Sequence, residues 1–76
     1  MNETCHLFPA YLFPARLREL REGRRMTRTA LSECCGLSKN CIARYERRES
    51  VPSLADAIVI ADYFGVSLDW MCGREK

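Results

Sequence analysis

The chain has 76 residues, 12 of them lysine or arginine and 10 aspartate or glutamate, for a net charge of +2. That length holds one domain near the lower limit for a self-sufficient core, which leaves little room for a catalytic pocket. No run of about 20 apolar residues exists to cross a bilayer, and an odd count of five cysteines argues against a disulfide framework.

In chain order, residues 1–12 carry few helix signals. Their start, "MNETCHLFPAYLF", is not expected to be a secretory leader, because it lacks a basic segment and Pro9 interrupts its apolar run. A cytoplasmic protein is expected. Pro14 suits the first turn of a helix, where its missing N–H costs nothing. "ARLRELREGRR" then sets Leu17 and Leu20 on one face with Phe13 a turn back, and Gly23 reads as the stop of a first helix over 14–23. Thr27 is the N-cap of a second helix over 28–35, with Leu31 and Cys35 inward, Cys34 outward and Gly36 ending it. Ser38 reads as the cap of a third over 39–47, where Ile42 and Tyr45 share one side. Val51 is pushed from helical angles by Pro52. Ser53 opens a fourth helix, Asp56 completes its capping box, and the inner stripe reads Leu54, Ala57, Ile58, Ala61 and Phe64 up to Gly65. Ser67 caps a last short helix, "LDWMC", closed by Gly73, with Trp70 expected to close the core. The reading is all-α: an extension over 1–12, a five-helix domain over 13–73 and a tail over 74–76.

Charge is unevenly spread along this order. Arg16 to Arg48 holds ten basic and four acidic residues, whereas Glu49 to Lys76 holds two basic and five acidic. A basic middle beside an acidic end suggests one face turned to a polyanion.

The second and third helices, joined by "GLS", form a helix-turn-helix. That motif needs a small residue where the helices cross (Ser32), a glycine in the turn (Gly36), a buried residue after it (Leu37) and a branched anchor on the next helix (Ile42). The next helix then presents its N-terminal side chains to a DNA major groove about 12 Å wide.

"RLRELRE", "TRTALSECCGLSKNCIARYE", "VPSL" and "IADYFGVSLDWMCG" stand in that order within residues 14–73. In sequence and spacing they resemble the Cro/lambda-repressor-like helix-turn-helix family, the Xre-type regulators. The resemblance implies a compact five-helix lambda-repressor-like fold, sequence-specific binding of double-stranded DNA, and often a dimer on a two-fold operator. Arg28 stands where the family often has glutamine, Ser32 where it usually has alanine, and Arg48 where a glycine commonly follows.

Position in the motif puts Lys39, Asn40, Ala43 and Arg44 against base edges. Lysine and arginine donate to guanine, asparagine pairs with adenine, and alanine meets a thymine methyl. Arg28, Thr29, Ser38, Cys41, Arg47 and Arg48 are assigned to phosphates, which set register and salt-dependent affinity without reading sequence. The resemblance also implies an internal salt bridge from Glu46 to an arginine of the first helix. Arg18 and Glu22 are spaced to pair on the surface.

One module reads only a few base pairs, so a homodimer is expected, with Val59, Tyr63, Leu68 and Met71 as interface candidates. Leu7, Phe8, Tyr11 and Leu12 are candidates to cover apolar surface or to pair across a dimer. No cofactor, metal, membrane or small-molecule effector is expected, and no enzyme: zinc needs four ligands at usable spacing, and no base–nucleophile pair or glycine-rich phosphate loop stands out. Cys34 and Cys41 lack the CxxC partner of a redox site. The competing reading is a protein-interaction module, or an antitoxin paired with a toxin, on the same fold.

Overall fold

The computed structural model describes residues 11–74. Its helices are α1 (Phe13–Gly23), α2 (Arg28–Cys34), α3 (Cys41–Glu46), α4 (Leu54–Phe64) and α5 (Leu68–Cys72), and no strand forms among the described residues. The expectations for Leu7 and Phe8 lie outside these residues. No described helix is long and apolar enough to cross a membrane.

Three helices start on side-chain caps that the sequence announces. The hydroxyls of Thr27, Ser53 and Ser67 accept the N–H groups of Ala30, Asp56 and Trp70 at 3.0, 3.1 and 3.0 Å. Each satisfies one of the donors that a helix start leaves unpaired. Pro14 occupies the first turn of α1 and is buried there.

All five helices end alike. The residue after the cap turns left-handed, or the cap itself does, and the next N–H reaches back to a carbonyl five residues earlier. Gly36, Gly65 and Gly73 do this with φ of 71°, 70° and 84°. At the ends of α1 and α3 the same conformation falls on Arg25 (φ 56°) and Arg48 (φ 60°). The stop of α1 is therefore Arg25 and not Gly23, which is still helical.

α3 packs against α1 and α2, while α5 packs against α1 and α4. The core they enclose is Phe13, Leu17, Leu31, Ile42, Tyr45, Ala57, Ile60, Ala61, Phe64 and Met71. In α4 the buried stripe is Ala57, Ile60, Ala61 and Phe64. This corrects the expected stripe, because Leu54 and Ile58 are 68% and 42% exposed. α4 is apolar nearly all round, so helical spacing alone admits more than one inner face. Trp70 packs at the core's edge, half-buried, with the Arg16 guanidinium 4.3 Å from its ring centre. Arg16 also donates to the Trp70 carbonyl, and the Leu12 N–H reaches the Cys72 carbonyl at 3.5 Å. Both contacts fasten the N-terminal side of α1 to α5.

Candidate nucleic-acid interface

The turn between α2 and α3 is built from backbone. Gly36 N–H bonds the Glu33 carbonyl at 3.1 Å and Leu37 N–H bonds the Ser32 carbonyl at 2.8 Å. The second bond requires a left-handed residue before Leu37, a conformation that Gly36 adopts without steric cost. Leu37 then packs on the core and Ile42 is fully buried. Ser32 is fully buried where the helices cross, and its hydroxyl accepts the Ile42 N–H at 3.4 Å. A donor at the start of α3 thus receives its cap from α2.

α3 is shorter than the expected 39–47. Lys39 and Asn40 sit in the turn before it, and the Asn40 side chain makes no capping bond. Ser38 does not cap α3 as expected; its hydroxyl lies 2.9 Å from the Cys41 sulfur instead, and the two share a hydrogen bond. Cys41 begins the helix with its own N–H on the Ser38 carbonyl at 3.1 Å.

The two sides of α3 differ sharply. Ile42 and Tyr45 are buried, and Glu46 is clamped. The Arg21 guanidinium donates through Nε to Glu46 Oε2 at 2.7 Å and through Nη2 to Oε1 at 3.1 Å. A third donor, Nη1, reaches the Met26 carbonyl at 2.7 Å. With side chains only 12% and 4% exposed, this is a desolvated, two-point ion pair. It is the salt bridge to the first helix that the resemblance implied. The hydrogen bond that Arg21 donates to Glu46 raises the Arg21 pKa against the opposing effect of burial. Tyr45 donates its hydroxyl to Asp56 Oδ2 at 2.7 Å. Burial and then that carboxylate push the phenol well above its ordinary range, so it keeps its proton.

On the opposite side, Asn40, Ala43, Arg44 and Arg47 recur at helical spacing, with Lys39 just before them. Lys39, Asn40, Arg44, Arg47 and Arg48 are exposed and Ala43 is half-buried. On α2, Arg28 and Thr29 are exposed in the first turn. Arg28, Lys39, Arg44 and Arg48 form no ion pair with another described residue, whereas Arg47 meets Glu49 at 3.1 Å. The exposed side of α3 and its entry thus carry Lys39, Asn40, Arg44 and Arg47, whereas Arg48 lines a pocket with Pro14, Ala15, Arg18 and Glu46.

Other candidates fare differently. Met71 is fully buried and offers no surface to a second subunit. Val59 is exposed, while Tyr63 and Leu68 are half-buried against the core. Cys34 is exposed and Cys35 packs on the core, where burial pushes its thiol up. Sequence reasoning missed the Tyr45–Asp56 bond, for which eleven residues of separation left no local signal. It also missed Arg24, whose guanidinium lies 5.3 and 4.9 Å from the Tyr63 and Phe64 rings.

A helix-turn-helix family model matches residues 17–71. The "Uncharacterized HTH-type transcriptional regulator YobD" of Bacillus subtilis (strain 168) is 31% identical over 62 residues, 82% of this chain and 55% of its own. The "Cryptic phage CTXphi transcriptional repressor RstR" of Vibrio cholerae serotype O1 is 30% identical over 59 residues, 78% of this chain and 53% of its own. The chain thus spans about half the length of these curated relatives. The crystal structure of the P22 c2 repressor with synthetic operator 9T superposes with a TM-score of 0.77 at 23% identity, covering 84% of this chain and 97% of that one. That likeness is one of fold.

Proposed function

The chain belongs to the helix-turn-helix family, and from that premise we propose that it is a sequence-specific double-stranded-DNA-binding regulator, a repressor, that lays α3 in the major groove. The observation that carries the reading is the two-sided character of α3. One side is locked into the core through Ile42, Tyr45 and Glu46, and the other carries Asn40, Ala43, Arg44 and Arg47 outward. A firmly held helix whose exposed face carries Arg44, without an ion pair to another described residue, and Arg47, paired only with exposed Glu49, is what base reading needs. The P22 c2 repressor was crystallised on an operator, and the Vibrio relative is named a repressor; both support the reading.

Lys39, Asn40, Ala43 and Arg44 read bases in this proposal. Arg28, Thr29, Ser38, Cys41, Arg47 and Arg48 hold phosphates. Two copies one DNA turn apart, about 34 Å, read a two-fold operator. Val59, Tyr63 and Leu68 remain the interface candidates, and Val51, Leu54 and Ile58 are further exposed apolar residues on the loop before α4 and on α4 itself. The same residues suit a protein partner, which is the second reading.

The test is selection from a random-duplex library with purified protein, followed by salt titration on the recovered sequence. A two-fold motif with half-sites one turn apart is expected. Lys39→Ala and Arg44→Ala are expected to weaken operator binding more than random-duplex binding. Arg47→Ala should weaken both alike and lower the salt slope by about 1. An unselected pool with weak, salt-labile binding would move the assignment to the protein-interaction reading.

A further inference from the structure

α3 has six residues. A helix that short has no stability of its own in water, so its setting in space comes from what holds it. Ile42 and the Tyr45 ring bury against the core, which keeps the helix from moving away. Close packing restricts rotation about the helix axis, but the apolar attraction itself is non-directional. Direction comes from polar bonds. Glu46 is held by Arg21 from α1. Tyr45, the preceding residue, is held by Asp56 from α4 through its hydroxyl. Consecutive residues project about 100° apart around a helix. The two bonds therefore pull in different directions, toward different helices, and together they fix the rotation that either alone leaves loose. Asp56 is itself held, because the Ser53 hydroxyl accepts its backbone N–H at 3.1 Å at the capped start of α4.

We propose that Tyr45 is a positioning residue for base recognition, its hydroxyl bond to Asp56 setting the rotation of α3 and hence which base edges Asn40, Ala43 and Arg44 meet. The inference rests on the DNA-binding reading above. Recognition geometry tolerates about 10–20° of error before contacts are lost. Phosphate contacts through long, flexible arginines tolerate more. Losing the tether should therefore erode discrimination before it erodes general affinity.

Tyr45→Phe removes one oxygen and leaves the ring in place, and Asp56 is half-buried and near enough to solvent to turn to water. The full chain carrying this change is compared with wild type on the selected operator, on single-base variants of it and on random duplex, at one salt concentration. The ratio of operator to random affinity is expected to fall about 3- to 10-fold, with random-duplex affinity within twofold of wild type. Asp56→Ala should give the same fall, and the double variant should fall no further. Asp56→Asn, which keeps an acceptor oxygen, should restore most of the ratio. An unchanged ratio in Tyr45→Phe overturns the proposal, and so does an equal loss on operator and random duplex, which is what a lower folded fraction alone would give. Should Asp56→Ala fail to fold, Tyr45→Phe still decides. A wild-type protein with no operator preference overturns the DNA-binding reading itself, before any variant is made.

Discussion

Left-handed closures stand on both sides of α3, one ending α2 before it and one ending α3 itself, and the two sides differ in everything else. Before the helix, the chain turns left-handed at Gly36, and Leu37 N–H reaches the Ser32 carbonyl at 2.8 Å. After it, the chain turns left-handed at Arg48, and Glu49 N–H reaches the Arg44 carbonyl at 2.9 Å. At the entry the residue is the one that adopts this conformation without steric cost; at the exit it is an arginine that pays roughly 1–2 kcal/mol for it. The side chains are divided the other way. Lys39 and Asn40 at the entry are exposed, with no ion pair to another described residue and no side-chain capping bond from Asn40, whereas Tyr45, Glu46 and Arg47 toward the exit are bonded to Asp56, Arg21 and Glu49. The entry is made rigid through backbone so that its side chains stay available. The exit is made rigid through side chains, and strain is accepted there where a cation is kept. Under the proposed function, that cation meets a phosphate.

Breaking the exit should cost most. Glu46→Ala strands a desolvated Arg21 whose side chain is 12% exposed. Arg21 keeps its bond to the Met26 carbonyl and the Glu22 carboxylate at 3.8 Å, so the loss should sit at or below the low end for a broken buried pair, about 3 kcal/mol. Urea unfolding should show a lower midpoint with an unchanged slope. A loss under about 1 kcal/mol would mean that apolar packing, and not the ion pair, holds the exit. The next effects are smaller and opposite in sign. A Cβ on Gly36 would meet nothing within 4 Å, so Gly36→Ala carries a backbone penalty alone, about 1–2 kcal/mol. Arg48→Gly should gain about 0.5–1 kcal/mol, the relief of strain less the extra freedom of the unfolded chain. The same variant should bind DNA with a salt slope lower by about 1. If both substitutions destabilise, left-handed strain is not what separates the two ends.

This contrast was only half legible in the sequence. Glycines 36, 65 and 73 announce left-handed closures because glycine is the residue that makes them easy, and Thr27, Ser53 and Ser67 announce caps because their hydroxyls suit the task. Arg25 and Arg48 announce nothing, since no feature of an arginine marks a left-handed backbone. Leu54 and Ile58 lie at helical spacing as convincingly as Ile60 does. What turns them outward is the way α4 packs, and spacing carries no record of that. Exposed Lys39, Asn40 and Arg44 were readable from the motif. Tyr45 was expected on the same side of the third helix as Ile42, but its partner Asp56 belongs to another helix, and tertiary hydrogen bonds leave no periodic trace. Met71 misled for a related reason: at the end of a five-residue helix, one turn is too short to distinguish a core methionine from a surface one.

The smallest effect tests the entry's dependence on backbone. Ser32 is the place where a side chain does contribute there, its buried hydroxyl accepting the Ile42 N–H at 3.4 Å. Two terms oppose each other in Ser32→Ala. The change leaves a buried N–H without an acceptor, which costs about 1–3 kcal/mol when nothing replaces the bond. It also removes a hydroxyl whose own burial is unfavourable, and alanine fits a site where two helices cross closely. At 3.4 Å the bond lies beyond the usual N–H···O range and returns less than a typical one. The balance should be a loss of about 0.5–1 kcal/mol, read as a shift in urea midpoint, with operator affinity unchanged among folded molecules. A gain in stability would show that the hydroxyl is a burden at the crossing, and that backbone and apolar packing alone fix the approach to α3. A loss above about 2 kcal/mol would show the reverse, that the entry is tied by a side chain much as the exit is, and the contrast between the two ends would shrink to the choice of glycine or arginine.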